Sequence, residues 1–290
     1  MPPLTAEQLD PANPPDLEDL TAEEVVRWAL ERFHPSIALA CSFQQEESVL
    51  LDILFAERPD ARVFALDTHV LFPETYALWE QTEQRYATTV ERFEGPSLAA
   101  QAAEHGDELW NRDPNACCAI RKVEPLGRAL AGLDAWITGV RREQSPTRAG
   151  ARKVEWDERH GLWKLNPLAD WTERAIWTRI TERGLPYNPL HDRDYSSIGC
   201  THCTLPGAGR AGRWAGGDKP EGGPPTGRGP VPTPRRSARS MRSRPRRSTS
   251  CARSPRCASA RRCCSPAART RSSCCASPRR RSARAASRSP

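Results

Sequence analysis

The 290-residue chain contains no apolar run of about 18 residues, the length that crosses a bilayer, so no membrane span is expected. Its first residues, Met1-Pro2-Pro3-Leu4, lack the basic and then apolar pattern of a secretion signal, and a cytoplasmic location is expected. In that reducing compartment, clustered cysteines favour metal or redox chemistry over structural disulfides. No internal repeat is present, which excludes solenoid and propeller architectures. There is no glycine-rich Walker loop either, so a P-loop nucleotidase is excluded.

The deepest absences lie at the C-terminal end. Residues 222–290 hold 19 arginines but no lysine, no acidic residue and no Leu, Ile, Phe, Tyr or Trp. Such a segment has almost nothing to bury; it is expected to be disordered and to bind polyanions without specificity. Taking those 19 from the 43 basic residues leaves 24 against 36 acidic ones. Residues 1–221 therefore carry −12, although the whole chain carries +7. The basic character belongs to the tail, and no specific nucleic-acid partner is expected for the rest. The chain thus divides into a loose Pro/Asp/Glu-rich lead-in (1–20), a domain (21–221) long enough to bury a sizeable core, and the tail (222–290).

Within the domain, apolar runs of strand length alternate with helical patterns. Thr21-Ala22-Glu23-Glu24 is a capping box opening a helix that His34-Pro35 ends. Ser36–Ala40, Arg62–Leu66, Thr88–Phe93, Ala135–Thr138 and Leu162–Leu165 read as strands, with helices after most of them. The alternation predicts an α/β fold: a doubly wound, mostly parallel sheet covered on both faces. Ligands of such sheets bind at the carboxyl ends of the strands.

Three stretches carry chemistry. Cys41 to Ser48 follows the first strand and opens a helix, placing Ser42, Ser48 and unpaired backbone N–H groups where an anion is favoured. On local sequence alone, a capped helix after a core strand is the simpler interpretation. The second stretch is Cys117-Cys118 with Arg121-Lys122 one turn on, matched far downstream by Cys200-Thr201-His202-Cys203. A CxxC pair usually means zinc, but adjacent cysteines diverge, which suits separate irons of a cluster better than one ion. Two buried free cysteines with an unrelated CxxC are the bland alternative. The third feature is a set of basic residues in an acidic domain: Lys122, Arg141, Arg142, Arg148, Arg210 and Arg213, of a kind that grips phosphate or sulfate. Singly, each is a surface charge. His69 and His202 are assigned no role, and the tryptophans at 28, 79, 110, 163, 171 and 177 read as core.

These stretches, with Leu66-Asp67-Thr68, Leu71-Phe72-Pro73-Glu74-Thr75, Arg141-Arg142-Glu143-Gln144-Ser145, Asn166–Trp171 and Arg210-Ala211-Gly212-Arg213-Trp214, resemble the assimilatory sulfonucleotide reductases. The closest resemblance is to the iron–sulfur adenosine phosphosulfate reductases of bacteria. The double cysteine plus CxxC separates that branch from the cluster-free phosphoadenosine phosphosulfate reductases. His69 stands where many relatives have glycine.

The resemblance implies an adenine-nucleotide alpha-hydrolase-like fold and a 4Fe–4S cluster on Cys117, Cys118, Cys200 and Cys203. It implies that Ser42, Phe43, Gln44 and Ser48 hold the phosphosulfate, that Leu66 lies at the adenosine, and that Lys122, Arg148, Arg210 and Arg213 hold anionic groups. It implies reduction of adenosine 5'-phosphosulfate to sulfite and AMP with thioredoxin, in sulfate assimilation for cysteine biosynthesis; a phosphoadenosine phosphosulfate reductase is the near alternative. A homo-oligomer is left open by the sequence.

In the family, the nucleophile is a cysteine in a Glu-Cys-Gly-Leu-His segment just after the Arg-Trp motif. Here that place reads Glu221-Gly222-Gly223-Pro224-Pro225, and Gly222 has no nucleophile. A non-catalytic nucleotide-binding iron–sulfur protein is the alternative of another class. The tail beyond has the composition of GC-rich DNA translated out of frame. Resequencing the coding DNA across Pro220–Gly223 decides between two outcomes: a one-base correction that restores the cysteine segment makes the tail an artefact, and an unchanged reading means that the chain lacks the thiol.

Overall fold

The computed structural model describes residues 9–209, 212 and 213. The elements run α1 (Ala22–Phe33), β1 (Ile37–Cys41), α2 (Gln45–Glu57), β2 (Arg62–Asp67), α3 (Pro73–Tyr86), β3 (Glu91–Glu94), α4 (Leu98–His105), α5 (Leu109–Arg112) and α6 (Pro114–Cys118). They continue with α7 (Glu124–Leu130), β4 (Ala135–Ile137), β5 (Val154–Asp157), β6 (Leu162–Leu165) and α8 (Glu173–Arg183). The sheet has six strands in the order β3-β2-β1-β4-β6-β5. All pairs are parallel except the β5–β6 hairpin. The doubly wound sheet expected from the alternating pattern is therefore observed.

The sequence explains most of these boundaries. Thr21 caps α1 and Glu24 reaches back to the Thr21 N–H at 2.8 Å. Ile37, Ala38 and Leu39 of β1 are buried on both faces, as a central parallel strand requires. One apolar layer joins α1, α2 and α8 to the sheet through Val25, Leu30, Leu50, Ile53, Ile176 and Ile180. The other face packs Ala129, Leu130 and Leu133 against Ala38, Phe64 and Leu162. The third strand begins at Glu91 rather than Thr88, because Ala87 turns into the left-handed region to end α3. β5 was hidden by its charged, aromatic sequence Val154-Glu155-Trp156-Asp157.

Residues 17–20 are anchored, where the composition predicts a loose lead-in. Leu17 is buried, and the buried Lys153 ammonium donates to the Glu18 and Leu20 carbonyls at 2.8 and 2.6 Å and pairs with Asp170 at 2.7 Å. Among the described residues no helix is long and apolar enough to cross a membrane.

Because Leu39 is fully buried in the central strand, Leu39→Ala should lower unfolding stability by about 2–5 kcal/mol. Urea denaturation followed by tryptophan fluorescence measures it; a loss well under 1 kcal/mol would contradict this placement of the core.

Candidate functional site

The chain leaves β1 toward β2 and β3 on one side, and returns to β4 on the other side of β1. The carboxyl ends of β1 and β4 therefore diverge, opening a crevice. A cavity of about 510 Å³ lies there, within the usual range for small-ligand sites. Its walls include Ser42 and Gln44 after β1, Leu66 and Thr68 from β2, and Gly139, Arg148, Lys122 and Arg213.

The loop after β1 is built tightly. Phe43 takes a left-handed conformation (φ 58°), which sends its ring into the core to stack on Trp79 at 5.1 Å. Phe43 and Ser48 are buried and are not among the cavity's walls, so they shape the loop rather than face its interior. Gln44 accepts from the Ile198 N–H at 2.9 Å and donates to its carbonyl at 2.7 Å, which clamps the 196–199 segment to the loop. Ser42 is exposed to the cavity and donates to Glu47 at 2.9 Å.

Two adjacent glutamates, missed in the sequence, lie buried at the start of α2. Glu46 meets Arg141 at 2.8 Å with both side chains 4% exposed, and also accepts from Gln144 at 2.9 Å. Glu47 accepts from Ser42 and from the Gln44 N–H at 3.0 Å. Burial, and then the neighbouring Glu46 charge, push the Glu47 carboxyl up to about 8 against the pull of those donors. A Cβ on Gly139 would stand 2.4 Å from Glu47 Oε1, so only glycine fits where β4 leads past the loop. The Arg141 and Arg142 guanidiniums, counted in the basic set, are engaged internally: Arg141 with Glu46 and Glu143, Arg142 with Glu18 and the Ala151 carbonyl.

A second pocket adjoins the first. It is lined by Val70, Trp110, Cys117, Cys118, Arg121, Lys122, Cys200, His202 and Cys203. Asp113 caps α6 by accepting from the Asn115 and Ala116 N–H groups, and the two adjacent cysteines follow within one turn. The distant pair is brought in by Thr201, whose N–H donates to the Val70 carbonyl at 2.8 Å, and by a bridge between Leu71 and Cys200. All four thiols are free of disulfides. Burial, and then the neighbouring thiols, push the Cys117 thiol up to about 11; the same causes raise Cys203.

After Cys118 the helix makes one π-turn, Ala119–Val123, closed by the Glu124 N–H on the Ala119 carbonyl. Such a turn re-aims the side chains that follow. Arg121 turns inward and is 1% exposed; its Nη1 donates to the Thr68 carbonyl at 2.9 Å, while Nε and Nη2 have no hydrogen-bond partner. A buried, half-satisfied guanidinium is costly unless an anion stands beside it. Four thiolates around a metal cluster would be such an anion, so these residues fit the group. Lys122, half-buried, lines both pockets. Trp110, read as core, instead stacks on His202 at 4.1 Å beside the thiols.

Arg213 enters the first cavity by donating to Ser197 and to the Ile198 carbonyl, and its guanidinium passes where a Gly199 side chain would be. Arg148 lines the same cavity and donates to Gln144. Arg210, Trp214 and Gly222 lie outside the described residues. His69, at φ 59°, adopts the conformation that glycine favours; its ring bonds Glu94 at 2.7 Å.

A crevice of small-ligand size at the switch point of a mostly parallel sheet, beside a pocket lined by four cysteines, defines an α/β protein of the open-sheet class. The sequence profile of the phosphoadenosine phosphosulfate reductase domain matches residues 36–206. Over 208 residues the chain is 44% identical to a protein of Lysinibacillus sphaericus named adenosine 5'-phosphosulfate reductase, covering 70% of this chain and 89% of that one. It is 47% identical over 214 residues to a phosphoadenosine 5'-phosphosulfate reductase of Gloeobacter violaceus, covering 71% and 89%. A crystal structure of the phosphoadenylyl-sulfate reductase from Candida auris, in complex with phosphate, superposes with a TM-score of 0.59 at 33% identity, over 64% of this chain and 91% of that one. The chain belongs to the phosphoadenosine phosphosulfate/adenosine phosphosulfate reductase family.

Arg141→Met should leave Glu46 buried without its ion and cost about 3–5 kcal/mol in urea denaturation. Adding Glu46→Gln should recover part of that loss. Equal stabilities of Arg141→Met and the parent chain would show that the pair does not hold the loops together.

Proposed function

We propose that the chain binds adenosine 5'-phosphosulfate in the switch-point cavity and carries a 4Fe–4S cluster on Cys117, Cys118, Cys200 and Cys203, the binding core of a thioredoxin-dependent adenosine 5'-phosphosulfate reductase of sulfate assimilation, here without the attacking thiol of the family. The observation that carries this reading is Lys122, a half-buried cation on the wall common to the cavity and the thiol nest. A phosphosulfate in the cavity and an anionic cluster in the nest would both draw on it.

When bound, a cluster supplies a compact metal centre whose charge the surrounding residues sense. The chain's own residues supply the rest. Ser42 and the backbone at the start of α2 face the anion, and Arg148 and Arg213 add positive charge around it. Leu66 offers an apolar wall for the adenosine. Concentrated positive charge steadies a crowded anion while a sulfur–oxygen bond breaks. The attacking thiol of the family has no counterpart at Gly222, so this chain is proposed to bind the nucleotide without releasing sulfite.

The test combines metal analysis with a sulfite assay. Anaerobically purified chain should hold about four irons and show broad visible absorption, and Cys117→Ala or Cys200→Ala should remove most of both. Adenosine 5'-phosphosulfate should bind and compete well with phosphoadenosine phosphosulfate, while sulfite release with thioredoxin stays at background. Zinc in place of iron would overturn the cluster; tighter binding of the 3'-phosphorylated nucleotide would point to the alternative substrate.

A further inference from the structure

Glu47 is a buried carboxyl at the wall of the cavity, and the one side-chain hydroxyl that it holds there is that of Ser42. Glu47 Oε2 lies 2.9 Å from Ser42 Oγ and 3.0 Å from the Gln44 nitrogen. The backbone at Gly139 closes over Oε1. Cys41 faces the carboxyl from β1; Glu46 stands beside it on α2, held by Arg141 from the loop after β4. Across the cavity stand Lys122, Arg148, Lys164, Arg213, Glu143 and Glu173.

A serine hydroxyl has one proton. While Glu47 is ionised it can only accept, so the Ser42 proton points at Oε2 and the Ser42 lone pairs face the cavity. An oxyanion arriving there meets lone pairs. When Glu47 is neutral, its own O–H donates to Ser42 Oγ, and the Ser42 proton is free to point at the anion. The carboxyl and the anion are thus linked through one hydroxyl.

We propose that Glu47 is a positioning residue that must be neutral while the phosphosulfate is bound, leaving the Ser42 hydroxyl free to donate to the anion; where the free carboxyl is ionised, it takes up one proton from solvent on binding and returns it on release. This rests on the reading that the Ser42 loop holds the phosphosulfate.

The free carboxyl is half ionised near pH 8. Well below that value Ser42 is already released and binding takes up no proton. Above it, each binding event must protonate Glu47, and the apparent Kd weakens with rising pH. Between pH 7 and 9 the Kd for adenosine 5'-phosphosulfate should rise about tenfold, with about 0.9 proton taken up at pH 9 and close to none at pH 7. Burial holds the Cys41 thiol well above its ordinary range, out of this window.

Calorimetry of the full chain with adenosine 5'-phosphosulfate, in two buffers of different ionisation enthalpy, reads both quantities. Glu47→Gln has no titrating carboxyl, so its Kd should stay flat from pH 7 to 9, with no proton uptake. Ser42→Ala removes the hydroxyl and should be weaker and equally flat; it decides the matter if Glu47→Gln does not fold. Flat binding without proton uptake by the parent chain, or a tenfold slope retained in either variant, overturns the proposal alone. No binding at any pH overturns the nucleotide reading beneath it.

Discussion

Glu46 and Arg141 face each other at 2.8 Å inside the protein, one at the start of α2 and the other just beyond β4. Desolvating two charges is expensive, and such a pair is weak support for stability by itself. Its effect here is positional. The two loops that it joins leave the sheet at the point where strand order reverses, and nothing in the sheet's own hydrogen bonding fixes their separation. Gln144 donates to the same Glu46 oxygen, and Arg141 also bonds Glu143 and the Trp171 carbonyl, so the Arg141–Gln144 turn, α2 and the approach to α8 are held by one charge centre. The cavity exists because these loops stand apart by a fixed amount. Gly139 belongs to the same constraint, since any side chain there would collide with both glutamates.

The domain that carries the site is acidic, yet the walls of its cavity bring Lys122, Arg148 and Arg213 together, beside the Glu143 and Glu173 carboxylates and a Lys164 paired with Glu155. Positive charge concentrated in a crevice of a negative domain focuses the field on a small anion while the outer surface repels larger polyanions. The π-turn distributes the charge further. It carries two consecutive residues, Arg121 and Lys122, one sealed against the thiols and the other along the shared wall.

Much of this was legible in the sequence, because the signals were local. The capping box at Thr21 and the apolar runs of β1 and β2 each depend on residues a few positions apart. The four cysteines were identifiable by spacing, and the structure lines one pocket with them. What escaped depends on contacts distant in sequence. Arg141 and Glu46 are 95 residues apart, and nothing near either shows that they pair. Glu47 reads as an ordinary acidic residue in the first turn of a helix; its burial comes from Gly139 across the sheet. Trp110 looks like core in composition, and only the fold brings it against His202. Phe43 and Ser48 belong to the matching motif but act on the loop from inside the core.

Among the described residues, the two pockets are held by the clamps of Gln44 on Ile198, Thr201 on Val70, Arg213 on Ser197 and Arg141 on Glu46. Recognition of an anion and covalent attack on it are therefore separable in this architecture: the first needs the charge and the oriented donors that these bonds fix, the second needs one thiolate delivered to them. A glycine at position 222 removes that thiolate and leaves the charge, the donors and the thiol nest in place. A chain so altered should still gather the nucleotide, since affinity comes from groups that meet the ground state, whereas turnover needs bonding that exists only in the transition state.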